Sequence, residues 1–136
     1  MLTLKIMNLL TRFQKKFENQ NSWTKTFTPL EVRKFDIPEV KDLSNYIVFV
    51  IHSKKHYFGI STTGIFIQEE GESLFINFSE LTSFRILYDS MTYPDFKTKA
   101  NKIMIASKGQ ERVLLCDEEG NVYSMHRLLA FGKRST

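Results

Sequence analysis

The segment HYFGISTTGIFIQEEGESLFINF, residues 56–78, decides the fold of the chain. Its apolar and aromatic residues come in three runs, separated by short stretches rich in Ser, Thr, Gly and Glu. Such runs between turn formers are typical of antiparallel strands joined by tight turns. The segment therefore predicts three consecutive strands, at 56–60, 65–68 and 74–78.

The last of these strands also indicates which side of the sheet is buried. Leu74, Ile76 and Phe78 alternate with Phe75 and Asn77. Because successive side chains of a strand point to opposite faces, we expect the first three residues to face the core. Phe75 and Asn77 are then expected on the opposite face.

The β pattern continues on both sides of this segment. Upstream, the β-branched and aromatic run 46–51 predicts a strand, and residues 53–55 predict the turn that follows it. Downstream, further strands are expected at 85–88, 102–106 and 112–116. The strands recur at short intervals, which favours a meander in which neighbours along the chain pair with each other.

Two helical elements are expected within this β-rich region. Residues 79–84 predict a short helical turn with Ser79 as its N-cap. Residues 121–131 return to helical spacing, so a closing helix is expected there. Gly132 is expected to end this helix, because glycine commonly follows the last helical residue.

The first residues of the chain predict an amphipathic helix over 1–19. On a helical wheel the large apolar residues of this segment fall on one stripe. They are Leu2, Ile6, Leu9, Leu10, Phe13 and Phe17. The chain thus divides into a helix at 1–22, a connector at 23–45 that packs on the domain, and a β-rich domain at 46–136.

The order of these elements resembles the pleckstrin-homology-like domain, including its GRAM variants, over residues 45–131. The stretches that carry the resemblance are HYFGISTTGIFIQ at 56–68, LFINFSELTSFRI at 74–86 and NKIMIASKGQERVLLCDEEGNVYSMHRLL at 101–129. The resemblance implies a mainly β, α+β fold: an antiparallel barrel or a strongly bent sheet with a C-terminal capping helix. The N-terminal helix is an addition to that minimal domain.

Positive charge is concentrated in the first part of the chain, where residues 1–55 hold ten Lys and Arg against five Asp and Glu. Such an excess favours contact with an acidic protein surface or with anionic lipid. Nucleic acid is an unlikely partner, since we expect the aromatic residues among these cations to pack on the domain. The basic residues expected to bind a partner or a membrane are Lys5, Arg12, Lys15, Lys16, Lys54 and Lys55.

The N-terminal helix leaves several partners open. Its apolar stripe is too large to remain in water, because each buried side chain of this size contributes about 1.5–3 kcal/mol. The stripe is covered by the domain itself, by a second copy of the chain, by another protein or by lipid. We expect packing within the protein or its oligomer.

Residues with catalytic or metal-binding chemistry are few. His52 and His56 have a spacing that brings two metal ligands together on a helix, but here they flank a predicted turn. Cys116 lies in the apolar stretch VLLCD, so we expect a buried small hydrophobic residue there. We therefore expect no catalytic residue, no metal and no cofactor. A small enzyme using Cys116 and His126 is kept as a minority hypothesis.

These observations together favour a non-enzymatic binding module that recognises a protein partner or a membrane surface. By analogy with stand-alone domains of this kind, we expect a bacterial protein. The alternative is an inhibitor or immunity-type protein that blocks an enzyme through a charged surface. A cytoplasmic location is expected, because the basic residues Lys5 and Arg12 interrupt any secretory signal and the chain has one cysteine.

Overall fold

The computed structural model describes residues 26–27, 39–53, 55–88, 99–116 and 121–134. In these residues the protein is mainly antiparallel β, with two sheets and one C-terminal helix. The predicted helix at 1–22 lies outside the described residues. No helix of the described part of the chain is both long and apolar enough to cross a membrane.

Consecutive strands pair with each other in both sheets. The first sheet has the order β1-β2-β3-β4-β5. Its strands are β1 (Thr26–Phe27), β2 (Tyr46–Ser53), β3 (His56–Ser61), β4 (Gly64–Glu69) and β5 (Glu72–Asn77). The second sheet has the order β6-β7-β8 and is followed by helix α1. These elements are β6 (Leu81–Leu87), β7 (Lys102–Ser107), β8 (Gln110–Leu115) and α1 (Asn121–Arg134).

The inner face of the first sheet packs against the second sheet and α1 to form the main core. Its bulkiest fully buried members are aliphatic residues from both sheets and from α1. They are Ile47, Ile60, Ile65, Leu81, Ile103, Ile105, Met125, Leu128 and Leu129. Ile76 and Phe78 also belong to this core, whereas Phe75 is 39% exposed. The predicted inward face of the 74–78 strand is therefore confirmed.

The outer face of the first sheet carries a second, aromatic cluster, which consists of Tyr46, Phe49, Ile51, Tyr57 and Phe66. Tyr46 stacks on Phe49 and Tyr57 on Phe66, with ring centroids 4.8 Å and 5.9 Å apart. We call this group the outer aromatic cluster. Because both faces of the sheet are apolar, β2 is a continuous hydrophobic run and does not alternate with polar residues.

The connector contributes to the outer aromatic cluster from residues just before β2. Val40 and Leu43 pack against the cluster, and the Tyr57 hydroxyl donates a 2.8 Å hydrogen bond to Glu39. Burial, and secondly this hydrogen bond, raise the pKa of Tyr57 above its ordinary value of 10.0. Burial also raises the pKa of Tyr46 to about 12. The described end of the connector thus packs on the domain.

The helical turn after β5 is shorter than predicted and begins earlier. It is a 3₁₀ turn at Phe78–Glu80, and β6 already begins at Leu81. Ser79 lies inside this turn, so the prediction that it is the N-cap was wrong, and the N-cap is Asn77. The Glu80 carboxylate accepts hydrogen bonds from the backbone and side-chain amides of Asn77. This carboxylate fixes the start of the turn, so the chain returns to the extended conformation after one turn.

Gly132 does not end the C-terminal helix, which continues to Arg134. A Cβ atom at this position would lie 2.5 Å from Cε2 and Cζ of Phe78. Glycine is therefore required inside the helix by the close approach of the Phe78 ring. The prediction that Gly132 stops the helix was wrong because this contact is tertiary and leaves no local signal.

The described strands do not form a closed barrel. β5 and β6 follow each other along the chain, but no described strand of the first sheet pairs with a described strand of the second. The predicted antiparallel β architecture and the C-terminal helix are confirmed, whereas the closed-barrel form of the prediction is wrong. The sheets are instead joined by packing of their inner faces and by the polar links described below.

The contact between Phe78 and Gly132 predicts an unusual response to a helix-favouring substitution. Gly132→Ala should lower the free energy of unfolding by about 1–3 kcal/mol through overpacking, although alanine favours a helix interior by about 1 kcal/mol. Phe78→Ala should cost about 3–5 kcal/mol. Urea unfolding measures both values. The exposed Arg127→Ala is the control, and a stabilised Gly132→Ala variant would contradict the contact.

The Tyr57 hydroxyl predicts a loss of stability at alkaline pH. Its pKa is raised in the folded state. The hydroxyl therefore contributes fully to the free energy of unfolding below about pH 10, and this contribution is lost as the pH rises further. Tyr57→Phe should therefore cost about 1 kcal/mol at neutral pH and progressively less above pH 10. Urea unfolding from pH 7 to 11 tests this. Glu39→Gln leaves Tyr57 buried, and burial is the larger cause of the raised pKa. This variant should therefore still show most of the loss of stability above pH 10.

Candidate functional site

The outer edge of β8 presents backbone groups that are not used within the second sheet. The Cys116 amide donates a 2.6 Å hydrogen bond to the Asn101 carbonyl, on the β7 side. Alternate residues of an antiparallel strand direct their backbone groups to opposite sides, so Val113 and Leu115 direct theirs away from β7. The Leu115 carbonyl is indeed on that side, where it lies 2.7 Å from Nε2 of His52. Among the described strands, none pairs with this edge.

Side chains along the same edge are apolar and exposed. Val113 is 43% and Leu115 39% exposed, although they flank Leu114, which is buried in the main core. Val113 is paired in register with Met104, and Leu115 with Lys102, on β7. An edge strand with unpaired backbone groups and apolar side chains is a template for pairing with another chain, unless it is protected.

Three polar links hold β8 and its preceding turn, two of them to the first sheet and one, at Glu80, to the 3₁₀ turn before β6. In order along β8, Lys108 lies 2.8 Å from Glu80, Arg112 lies 3.8 Å from Glu69, and the Leu115 carbonyl bonds His52. Since Glu69 and His52 belong to the ends of β4 and β2, β8 passes across the end of the first sheet. We call the contacts at Glu69 and His52 the cross-sheet links.

The contact between Glu80 and Lys108 is the closer of the two ion pairs. Hydrogen bonds from Lys108 first, and then from Asn77, lower the pKa of Glu80 to about 2. The same contact raises the pKa of Lys108. Lys108 has a φ of 52° in the β7–β8 turn, and Gly109 beside it has a φ of 77°. Both members thus stay charged over the whole physiological pH range, and the β7–β8 turn is held to the 3₁₀ turn before β6.

A cavity of about 200 Å³ lies between the cross-sheet links at Arg112 and His52. We call it the β8 cavity. Its lining combines apolar residues of both sheets with a few polar groups, and His52 and His56 are exposed. The lining residues are His52, His56, Tyr57, Phe58, Ile67, Gln68, Glu69, Val113, Leu114 and Leu115. The cavity is therefore continuous with the open edge of β8.

Gln68 borders this cavity from β4, but its side chain lies on the outer face of the first sheet, beside its cross-strand partners Tyr57 and Ser73. It is 5% exposed, and the Ser73 hydroxyl bonds its side-chain oxygen. In the described part of the chain, no group completes the hydrogen bonding of the other end of the amide. Whichever way the amide is oriented, Ser73 satisfies only one of its two ends.

The two histidines at the cavity do not form a metal centre with other described side chains. No group of three or more His, Cys, Asp or Glu residues is arranged to hold a metal ion among the described residues. His52 bonds the Leu115 carbonyl, and Nε2 of His56 lies 4.0 Å from the Glu70 carboxylate. Their chain spacing therefore has a structural explanation in the β2–β3 hairpin.

Cys116 lies at the end of β8 and is fully buried. This confirms the prediction of a small buried hydrophobic residue. The ring of His126 packs on Phe84, with centroids 5.1 Å apart.

The predicted binding residues fall mostly outside the described part of the chain, namely Lys5, Arg12, Lys15, Lys16 and Lys54. Lys55 is described and exposed in the β2–β3 turn, where its backbone amide donates to the Ser53 hydroxyl.

Sequence reasoning missed Gln68, Val113 and Leu115. The alternation of Val113 and Leu115 with Leu114 was a usable signal, whereas the burial of Gln68 depends on the packing of the sheets. Comparison of the chain with protein-family models, with curated proteins and with solved structures found no match.

The cross-sheet link at His52 predicts different roles for the two histidines. His52→Ala removes the side chain that bonds the Leu115 carbonyl and so loosens the end of β8; the backbone amides of Leu114 and Cys116, which face β7, should then exchange with solvent several-fold faster. The loss of stability should stay near 1 kcal/mol, as for a single hydrogen bond. Hydrogen exchange followed by NMR measures this. His56→Ala is the matched control, and equal exchange in both variants would contradict the link.

Proposed function

We propose that the protein is a non-enzymatic, pleckstrin-homology-like binding module that recognises a protein partner by adding an extended segment of that partner to β8. The fold part of this proposal is supported by the order of the elements. Four meander strands, β2 to β5, precede three meander strands, β6 to β8, and a helix follows them. This is the order that the sequence resemblance implies, with the two sheets packed face to face.

The observation that carries the proposed function is the open edge of β8. A partner strand can bond the outward backbone groups of Val113 and Leu115, while their exposed side chains give it an apolar surface. Main-chain hydrogen bonds supply affinity in this type of recognition, and pockets for alternate side chains supply specificity. The β8 cavity lies beside this edge and is such a pocket.

The other open edge of the first sheet offers a comparison within the same molecule. Phe75 on β5 is also exposed, and the Phe78 amide bonds the Thr63 carbonyl toward β4. By alternation, Phe75 therefore directs its backbone groups outward, as Val113 does. Cavities lie beside both edges, so β8 differs in carrying two exposed apolar side chains, Val113 and Leu115, where β5 carries Phe75.

The proposal is tested by selection from a library of random nine-residue peptides displayed on phage. Selected peptides should bind the wild-type protein and slow the exchange of the Glu111, Val113 and Leu115 amides. Val113→Pro removes an outward amide without removing a bond to β7, so it should weaken binding at least tenfold. Phe75→Pro, at the comparable position of the β5 edge, should leave binding within about twofold.

Three outcomes would contradict the proposal. They are a library that yields no binding peptide, selected peptides that bind Val113→Pro as well as wild type, and binding that depends on Phe75 instead. Far-UV circular dichroism and the dispersion of NMR signals show whether each variant is folded. Binding of the protein to anionic vesicles with no peptide selected would support the membrane hypothesis instead.

A further inference from the structure

A cavity of about 290 Å³ lies on the outer face of the first sheet, and we call it the outer cavity. It is lined by that face and by the segment 39–45 that precedes β2, and it shares no described lining residue with the β8 cavity. Its lining combines three aromatic rings with three charged side chains. They are Tyr46, Phe66, Phe75, Glu39, Lys41 and Asp42.

The strand register brings two of the aromatic rings together. Phe66 and Phe75 are cross-strand partners on β4 and β5, so their side chains share the outer face. A Cβ atom on Gly64 would lie 2.9 Å from Cε1 of Phe75, so the Phe75 ring occupies space that a side chain at Gly64 would fill. Phe66 is buried, whereas Phe75 is exposed. The cavity therefore has aromatic surface that a ligand can reach.

The first of two carboxylates beside these rings belongs to Glu39. Its Oε2 atom accepts the 2.8 Å hydrogen bond from the Tyr57 hydroxyl, and Tyr57 stacks on Phe66. This bond holds the carboxylate at the outer face. It leaves the carboxylate able to accept further hydrogen bonds, because two carboxylate oxygens offer about four lone-pair sites.

The second carboxylate, of Asp42, has no partner among the described residues. Asp42 precedes the 3₁₀ turn Leu43–Asn45, and its carbonyl accepts a 2.9 Å hydrogen bond from the Asn45 amide. An aspartate before a helical turn commonly caps the amides of that turn, but the Asp42 side chain makes no such bond. Leu43 packs against the outer aromatic cluster, so the turn is fixed to the sheet. The Asp42 carboxylate is thus held in place without being used.

The charges and the rings together favour a cation in the outer cavity. The carboxylates of Glu39 and Asp42 against the ammonium of Lys41 leave a net charge of −1 on the described lining. Aromatic rings attract cations through the negative potential of their faces. A cation placed here therefore meets two kinds of favourable contact.

The size and chemistry of the cavity favour an arginine side chain. Its volume is at the lower end of the roughly 300–1,000 Å³ of pockets for drug-sized molecules and cofactors, so a side chain fits better than a nucleotide. A guanidinium is planar, bonds a carboxylate through two N–H groups and stacks on aromatic rings. It is also more weakly hydrated than the ammonium of lysine, so it loses less on entering.

We propose that the outer cavity binds the side chain of an arginine residue of a partner protein. The carboxylates of Glu39 and Asp42 bond the guanidinium, and the ring of Phe75 packs against it. This site is separate from the strand addition proposed at β8, and neither requires the other.

Blocked amino acids test the site. The probe is N-acetyl-L-arginine N-methylamide, titrated into the full chain at low salt and followed by ¹H–¹⁵N NMR. Its citrulline counterpart is the matched control, because it replaces the guanidinium by a neutral urea of nearly the same shape. The arginine probe should shift the backbone signals of Asp42 and Phe75 and bind about fivefold or more tightly than citrulline. The lysine counterpart should bind more weakly than arginine.

Two variants test the two kinds of contact. Asp42→Asn removes the charge but keeps a residue that tolerates the left-handed φ of 55°, and it should weaken binding of the arginine probe about two- to fivefold. Phe75→Leu keeps an apolar side chain but removes the ring, with a similar expected loss. Glu111→Gln, at an exposed position of β8 outside the cavity, is the control and should bind as wild type.

Several outcomes would overturn the site. They are an arginine probe that does not bind or binds no better than citrulline, shifts confined to residues away from the outer cavity, and unchanged binding in both Asp42→Asn and Phe75→Leu. Lysine binding as tightly as arginine would overturn the choice of arginine. The comparison of arginine with citrulline in the wild-type protein decides even if a variant does not fold. Peptide binding lost in Val113→Pro tests strand addition alone, so the two proposals fail independently.

Discussion

The passage of β8 across the end of the first sheet is the constraint on which the rest of the structure depends. The inner face of that sheet is apolar and has to be covered, but the described strands of the two sheets do not pair with each other. The cross-sheet links at Glu69 and His52 hold β8 in place from the ends of β4 and β2. This arrangement closes the core, creates the β8 cavity and leaves the outer edge of β8 open.

Much of the fold could be predicted because it is encoded locally. Alternating and continuous apolar runs gave the strands at 46–51, 56–60 and 102–106 close to their observed positions, since strand patterns depend on neighbouring residues. The end of α1 could not be predicted, because Gly132 is required by the distant Phe78 ring. Sheet closure was also beyond local patterns, since it depends on which strands meet in space.

The candidate site was much less predictable than the fold. Basic residues such as Lys55 stand out in a sequence, whereas an edge strand is recognised only when the order of the sheet is known. Gln68 sits at the end of a strand, where a polar residue is ordinary, and only its place on the outer face between Tyr57 and Ser73 shows why its side chain is buried. Burial and edge status are tertiary properties, so the sequence contained the residues of the site but not their roles.

The outer edge of β8 is protected against pairing at one end only, at Leu115. The rest of this edge, at Val113, is open, as the proposed binding role requires. His52 occupies the Leu115 carbonyl, which blunts one end of the edge against indiscriminate pairing, while Val113 retains exposed side-chain surface and outward backbone groups. A carbonyl oxygen has two lone pairs, so a partner amide can approach Leu115 while His52 remains bound. For the strand addition proposed above, selectivity would have to come from side-chain contacts beside the edge, because the backbone groups are the same for every partner.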